Sequence, residues 1–118
     1  SRPESLAVNV TTLQNETAGP TYIQFFEMRN IGPSDILGAR LQIVSPTRTP
    51  EGYAISELTT QPVVTEGFQA ICDPVDLKSQ ITIVNCESGR LKRQERVVVR
   101  LLLRTLTEAL IKVNQVPL

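Results

Sequence analysis

Residues 96–104 read Arg-Val-Val-Val-Arg-Leu-Leu-Leu-Arg, and this stretch decides the fold class. Successive side chains of a β-strand point to opposite faces, so the stretch is divided by taking every second residue. One face is then wholly apolar and consists of Val97, Val99, Leu101 and Leu103. The other face mixes apolar residues with arginines and consists of Arg96, Val98, Arg100, Leu102 and Arg104. This pattern predicts a half-buried strand.

A helix is the alternative for the same stretch, because the arginines recur at every fourth position and good helix formers continue to Ile111. The strand is favoured because the run is rich in β-branched residues, whose stiff side chains suit a pleated surface. A turn containing Gly89 precedes the stretch, and Thr105 and Thr107 come after it. The remaining chain is therefore interpreted as strands that pack against this one.

Further strands are predicted where apolar and polar residues alternate between clusters of turn formers. They are expected at residues 6–11, 22–29, 38–44 and 79–86, with shorter extended pieces at 53–58, 62–65 and 67–72. Turn formers separate them at 30–35 and at 73–76. The connection from Thr47 to Glu66 contains several prolines and glycines, and is expected to hold only short edge strands.

This succession predicts an all-β protein, an antiparallel, immunoglobulin-like β-sandwich of about seven strands. A length of 118 residues suits a single domain with one core, so residues 1–118 are predicted to form one sandwich. The Cys-Trp-Cys arrangement of antibody domains is absent, since the chain has no tryptophan. The two cysteines are expected on neighbouring strands, or on a strand and its adjoining loop.

The composition argues against several classes of function. Twelve basic and twelve acidic residues cancel, so no net charge favours nucleic acid or an anionic membrane as partner. Histidine is absent, which removes histidine-based acid–base catalysis and the common zinc ligand sets. No run approaches the roughly 20 apolar residues of a membrane helix. We therefore expect no enzyme, no cofactor and no catalytic or metal-binding residue, and any signal or membrane helix is expected outside these residues.

Cys72 and Cys86 allow one intramolecular disulfide, which would stabilise the fold by roughly 3 kcal/mol. The alternative is two buried thiols in a cytosolic domain. Two sequons, Asn9-Val10-Thr11 and Asn15-Glu16-Thr17, fit the acceptor pattern for N-glycosylation. The two sequons, together with two cysteines that can pair, favour an oxidising, extracellular setting. Asn9 and Asn15 are the candidate glycan acceptors.

Three other patterns are weaker indications of chemistry. Asp73 and Asp76 resemble part of a calcium loop but fall short of a ligand set, so a solvated turn is preferred. The arginines of residues 96–104 would form an anion-binding stripe, although a solvated or interfacial strand face is the favoured interpretation. Residues 90–93 read Arg-Leu-Lys-Arg, a basic processing pattern, but a tight turn there argues against cleavage.

Two passages, residues 30–46 and residues 83–110, resemble the membrane-proximal leg domain of integrin α subunits, called calf-2. Asn30-Ile31-Gly32-Pro33-Ser34, with a strand after it that ends at Pro46, is similar to the family's N-x-G-P-S passage. Residues 83–91, Ile-Val-Asn-Cys-Glu-Ser-Gly-Arg-Leu, resemble its C-x-x-G-x-L segment. The strand of residues 97–103, with Thr105 and residues 108–110, resembles the family's next strand and its L-W-x-x-T-F ending. The tryptophan that the family carries near the end of each passage is absent.

The resemblance implies a structural leg module of a heterodimeric adhesion receptor, which positions the ligand-binding head and couples leg separation to activation. The implied partners are the leg of an integrin β subunit and the adjacent α-subunit leg domain. The implied location is the extracellular side of the plasma membrane, in a single-pass type I chain anchored by a helix beyond these residues. Cys72 and Cys86 would form the bridge that staples the domain, and its last strands would come after Leu118.

An unrelated secreted β-sandwich is the second hypothesis. It would bind a glycan or a protein through the connection of residues 47–66, because loops on rigid scaffolds often carry recognition. A small hydrolase, the third hypothesis, rests only on scattered acidic residues.

Overall fold

The strand predicted at residues 96–104 is confirmed by the computed structural model, which describes residues 5–14 and 21–105. It is a ten-residue strand, Arg96–Thr105. Its apolar face lies in the core, where Val97, Val99, Leu101 and Leu103 each expose 1% or less of their surface. The helical alternative for these residues is therefore wrong, and the period of two identified both the element and its buried face.

The described residues form nine strands, all paired antiparallel. Their bounds are β1 (Leu6–Gln14), β2 (Thr21–Asn30), β3 (Arg40–Pro46), β4 (Ser56–Leu58), β5 (Val63–Glu66), β6 (Ile71–Cys72), β7 (Asp76–Leu77), β8 (Ile81–Glu87) and β9 (Arg96–Thr105). Eight of them fall on the predicted strands and extended pieces, and the additional one is β7, a two-residue strand that begins at Asp76, in the predicted turn of residues 73–76. Elements this short carry almost no periodic signal.

The strands form two sheets, which confirms the antiparallel β-sandwich. The five-stranded sheet has the order β1-β2-β9, and β4 and β5 both pair with the far side of β9. The four-stranded sheet places β8 between β3 and the short strands β6 and β7. The chain crosses between the sheets after β2, after β3, after β5 and after β8. Because a pleated strand shows alternate residues to each face, both sheets contribute every second side chain to one core.

The core is mainly apolar and includes a few buried polar side chains. Its largest fully buried apolar side chains are Phe26, Met28, Leu41, Ile43, Leu91, Leu101 and Leu103. Polar side chains also face inward, and most find partners, as buried polar groups generally must, although the buried hydroxyl of Thr105 has none among the described residues. The buried Gln24 donates a hydrogen bond to Thr12 Oγ1 at 3.3 Å, and Ser56 Oγ donates to the carbonyl of Pro46 at 2.8 Å.

β1 and β9 run in the same direction on either side of β2. Leu6 pairs with Asn30 at one end of the sheet, where Arg29 pairs with Arg96. At the opposite end Thr21 pairs with Arg104. The described chain therefore enters this sheet at the start of β1 and leaves it at the end of β9, at opposite ends of the sandwich.

Gly67 permits the crossing from β5 to the four-stranded sheet. Its φ is +76°, a conformation that residues with a Cβ rarely adopt. A Cβ at this position would also lie 2.7 Å from the carbonyl oxygen of Arg96. The backbone of this turn therefore approaches β9 more closely than another residue would allow.

We expect Leu101→Ala to lower the free energy of unfolding by about 2–5 kcal/mol, because it leaves a cavity between the sheets. Leu102→Ala is the matched control, since Leu102 is the next residue of β9 and lies half-buried on the outer face. It should cost about 1 kcal/mol. Urea unfolding of both variants measures the difference, and equal costs would contradict the assignment of inner and outer faces.

Candidate functional site

Asn30, the last residue of β2, organises one end of the sandwich. Its side chain is fully buried, and its Nδ2 donates to the carbonyl oxygens of Ser34 at 2.9 Å and Leu91 at 3.0 Å. Its Oδ1 accepts from the backbone N–H of Gly32 at 3.0 Å. We call Asn30, Gly32, Ser34 and Leu91 the Asn30 corner. It connects the turn after β2 with the loop that precedes β9.

The backbone of the Asn30 corner requires both Gly32 and the buried Leu91. A Cβ at Gly32 would lie 2.7 Å from the Cβ of Ser5, so a larger residue would displace the start of β1. Leu91 is fully buried and exchanges two backbone hydrogen bonds with Ile36, at 2.8 and 2.9 Å. The turn after β2 and the loop before β9 are thus joined both by an isolated backbone bridge and by the Asn30 side chain.

Ser88 secures the same end of the four-stranded sheet. Its buried hydroxyl accepts a hydrogen bond from the N–H of Ala39 at 3.0 Å and donates to the carbonyl of Gly89 at 2.7 Å. Its own N–H donates to the carbonyl of Ala39 at 2.8 Å. The residues at the end of β8 are therefore held against the residues that lead into β3.

Cys72 and Cys86 form a disulfide, with an S–S distance of 2.06 Å. They are directly paired residues of β6 and β8, so the first of the two expected placements, on neighbouring strands, is the one found. Cys86 is buried in the core, and Cys72 packs against the core. Because β6 has only two residues, the covalent bond supplies the attachment that so short a ladder lacks.

The disulfide indicates an extracellular or secreted location, because such bonds persist in oxidising compartments. Residues 5–14 and 21–105 contain no helix with the length and apolar character needed to cross a membrane.

Asn9, the first predicted glycan acceptor, lies exposed on the outer face of β1. Its sequon partner Thr11 lies on the same face, two residues further along the strand. Asn9 pairs with Glu27 of β2, and Thr11 pairs with Phe25. Asn15, the second predicted acceptor, lies outside the described residues.

A shallow groove of about 460 Å³ opens beside Asn9 on the outer face of the five-stranded sheet. We call it the Asn9 groove. Its lining includes Asn9, Thr11, Phe25, Glu27, Thr65, Glu66, Arg96 and Val98. Phe25 and Val98 provide apolar surface from β2 and β9, while side chains from the other strands add hydroxyl and charged groups. The sequence pattern did not predict this groove, because its residues come from four strands.

Arg96 holds the charges of the Asn9 groove in a closed network. Its Nη1 lies 2.5 Å from Glu27 Oε2, and its Nε and Nη2 lie 2.8 and 2.6 Å from the two carboxylate oxygens of Glu66. The hydrogen bond from Arg96 lowers the pKa of Glu66 below its ordinary value. The bonds from Glu66 and Glu27 likewise raise the pKa of Arg96. One guanidinium therefore pairs with two carboxylates, and Glu27 also lies 3.8 Å from Arg29 Nε through its Oε1.

The arginines of β9 share the outer face of the sheet, but they do not form an uninterrupted stripe of free positive charge. Arg96 is paired as described, and Arg104 pairs with Glu57 of β4. Arg100 lies between Phe25 and Val63 of the neighbouring strands. A solvated or interfacial strand face, the favoured interpretation, accounts for this arrangement.

Asp73 and Asp76, which follow β6, do not form a set of metal ligands in the structure. Asp76 forms an ion pair with Lys78 at 3.2 Å, while Asp73 lies exposed after β6. Among the residues that the structure describes, no group of three or more His, Cys, Asp or Glu side chains is placed to hold a metal ion.

The basic pattern at residues 90–93 lies in a structured turn. Leu91 is buried, Arg90 forms an ion pair with Asp35 at 3.3 Å, and the N–H of Lys92 donates to Glu95 Oε1 at 2.8 Å. A processing protease needs an extended, accessible segment. The turn that the sequence predicts at these residues is confirmed, and the absence of cleavage stays a prediction.

The connection of residues 47–66 is only partly a free loop. β4 and β5 lie within it and pair with β9 as the short edge strands that were predicted. Residues 47–54 fold back on themselves through a bridge between Arg48 and Ala54. Tyr53, which is 73% exposed, is the most prominent apolar side chain of this hairpin-like tip.

The sequence of this chain matches no model of a known protein family and no curated protein.

We expect the double variant Cys72→Ala, Cys86→Ala to lose about 3 kcal/mol of unfolding free energy, because the bond no longer restricts the unfolded chain. Denaturant unfolding with and without a reductant measures this effect. Reduction should destabilise the wild type by a similar amount and leave the double variant unchanged. A wild type that is insensitive to reduction would contradict this role of the bond.

We expect Asn30→Asp to cost about 3 kcal/mol, because a carboxylate oxygen would replace the donor that faces two carbonyl oxygens in a buried site. Asn85→Asp is the matched control. Asn85 accepts a hydrogen bond from Gln42 Nε2 at an exposed site through its Oδ1, and aspartate keeps this acceptor. Urea unfolding compares the two variants, and similar stabilities would contradict the organising role of Asn30.

Proposed function

We propose that this chain is a structural leg module of a heterodimeric cell-adhesion receptor, equivalent to the membrane-proximal sandwich of an integrin α subunit. It would position the ligand-binding head and couple leg separation to activation. The observation that carries the proposal is the polarity of β1 and β9, because the described chain enters one end of the sandwich and leaves the other. A domain connected in this way adds its full strand length to the distance between its neighbours.

The strand lengths support a spacer. β9 has ten residues, which at about 3.3 Å per residue gives a span of about 33 Å. β2 has the same number of residues and pairs with both β1 and β9 over most of its length. These ladders, together with the second sheet, give a stiff body. A stiff body transmits motion of its neighbours as a rigid lever, as hinge-type rearrangements of domains require.

The Asn30 corner supports the family resemblance on which the proposal draws. Asn30 begins the first similar passage, Leu91 lies in the second, 61 positions further along the chain, and the side chain of Asn30 contacts both passages. Asn30, Gly32 and Ser34 belong to the first passage, and Leu91 belongs to the second. The residues that define the resemblance thus share one structural task at the end where β1 begins.

In this role the module would belong to the extracellular side of the plasma membrane, in a single-pass chain whose anchor lies beyond these residues. Its partners would be the preceding α-subunit leg domain and the leg of an integrin β subunit. Interfaces between neighbouring domains of a chain are modest in area, which permits the leg motion that activation needs. No cofactor or catalysis takes part in this mechanism.

The test uses the full-length parent chain, co-expressed with an integrin β subunit. In one variant, residues 5–105 are replaced by an unrelated β-sandwich with the same strand polarity, and in another by a short Gly/Ser linker. The sandwich replacement should preserve the distance from head to membrane but weaken heterodimer assembly, and the linker should reduce both. Electron microscopy and co-precipitation from the cell surface provide the readouts. Unchanged distance and assembly in the linker variant would overturn the proposal.

The second candidate, a binding module, is favoured only by the exposed Tyr53 at the tip of residues 47–54. In the same experiment, a third variant shortens this tip to a Gly-containing turn and leaves β4 in place. A leg module should keep its assembly and its length. Loss of ligand capture with assembly intact would favour the binding module.

A further inference from the structure

We propose that the Asn9 groove binds the innermost sugars of a glycan attached to Asn9, so that the glycan lies on the sheet instead of extending into solvent. The ligand is a neutral N-acetylated hexose chain. The proposal requires passage through the secretory pathway, which the disulfide indicates, and it does not depend on the role of a leg module.

The position of the sequon is the first argument. The side chains of Asn9 and Thr11 are both on the outer face of β1, and both line the groove. The attachment forms a bond from Asn9 Nδ2 to C1 of the sugar and breaks the C1–O bond of a lipid-linked sugar diphosphate. The diphosphate leaves, and the amide proton passes to the transferase. A sugar attached here begins its path inside the groove.

The surface next to Asn9 suits a sugar ring. Phe25 pairs with Thr11 and is therefore the diagonal neighbour of Asn9 across the strand pair, a separation that aromatic side chains bridge. The ring of Phe25 is only partly buried. Its electron-rich face can receive the apolar C–H groups of a sugar, as aromatic faces receive positively polarised hydrogens. Val98, which exposes only 8% of its surface, adds a small apolar area on the side of β5.

The charges of the groove favour a neutral ligand over an ionic one. Arg96 is occupied by the carboxylates of Glu27 and Glu66. Arg29 Nε lies 3.8 Å from Glu27 Oε1, so the two carboxylates face two guanidinium groups, and the groove offers no free ion among the residues that the structure describes. Carboxylate oxygens with remaining lone pairs accept hydrogen bonds from hydroxyl groups, and the hydroxyl of Thr65, which donates to the carbonyl of Val98 at 3.4 Å, keeps lone pairs to accept beside them. Sugar hydroxyls and an acetamido group match these partners without requiring the ion pairs to break.

The length and volume of the Asn9 groove also suit a short glycan. Neighbouring strands lie about 4.8 Å apart, so the path from β1 across β2 and β9 to β5 is about 14 Å long. The volume of about 460 Å³ falls in the range of small-ligand pockets. The groove therefore has room for the core sugars of an N-linked chain, with the outer branches leaving past β5.

The test uses the chain secreted from eukaryotic cells with Asn15→Gln, so that Asn9 is the remaining acceptor, and a glycan trimmed to one N-acetylglucosamine. Mass spectrometry measures occupancy, and NMR measures contacts between the sugar and the Phe25 ring. The N-acetyl or ring protons of the sugar should show ring-current shifts relative to a free glycopeptide. Phe25→Leu should abolish these shifts. Phe68→Leu is the matched control, because Phe68 is 81% exposed and lies outside the groove lining.

Stability provides a second readout. Relative to Asn9→Gln, the single sugar should raise the melting temperature by about 3 °C or more, and this gain should disappear in Phe25→Leu but not in Phe68→Leu. An unoccupied Asn9 would overturn the proposal. An occupied Asn9 whose sugar signals and thermal gain do not depend on Phe25 would overturn it as well, since the glycan would then extend into solvent. Neither result would affect the distance and assembly measurements on the parent receptor.

Discussion

The burial of the inner face of β9 is the constraint on which the rest of the structure depends. β9 pairs with β2 on one side and with both β4 and β5 on the other, so most of the five-stranded sheet is positioned by it. Its alternate side chains are almost completely excluded from water and face the second sheet. A slip of one residue would turn this apolar face to solvent and bury arginines, which makes the register of β9 strongly determined.

Hydrogen bonds then fix the backbone at the ends of the strands, where apolar packing does not determine its conformation. Where the chain crosses between sheets, backbone groups lose their ladder partners and must be satisfied in another way. Asn30 does this for the turn after β2 and the loop before β9. Ser88 does it where β8 ends beside the start of β3. The sandwich thus combines non-directional packing in its centre with directional hydrogen bonds at one end.

The local pattern of the sequence was sufficient for the fold class and for β9 and its buried face, and it left two placements for the cysteines, of which neighbouring strands is the one found. It was less accurate at boundaries, since β1 continues past Thr11 to Gln14 and β8 begins at Ile81. The local pattern could not predict which strands pair, because strand pairing and register depend on residues that are far apart in the sequence. For that reason Asn30 was recognised as part of a turn and of a similar passage but not as a buried hydrogen-bonding residue, and Phe25 could not be placed beside Asn9. The immunoglobulin-like character of the sandwich stays a prediction.

The parallel orientation of β1 and β9 on either side of β2 also determines how the domain would respond to tension. A force that pulls the chain apart at the start of β1 and the end of β9 acts along the strands, whereas the hydrogen bonds of the ladders lie across them. The two ladders would therefore be loaded in shear, with many bonds resisting together instead of opening one at a time. The disulfide lies in the other sheet and carries none of this load. Mechanical strength in this fold is thus a property of strand order.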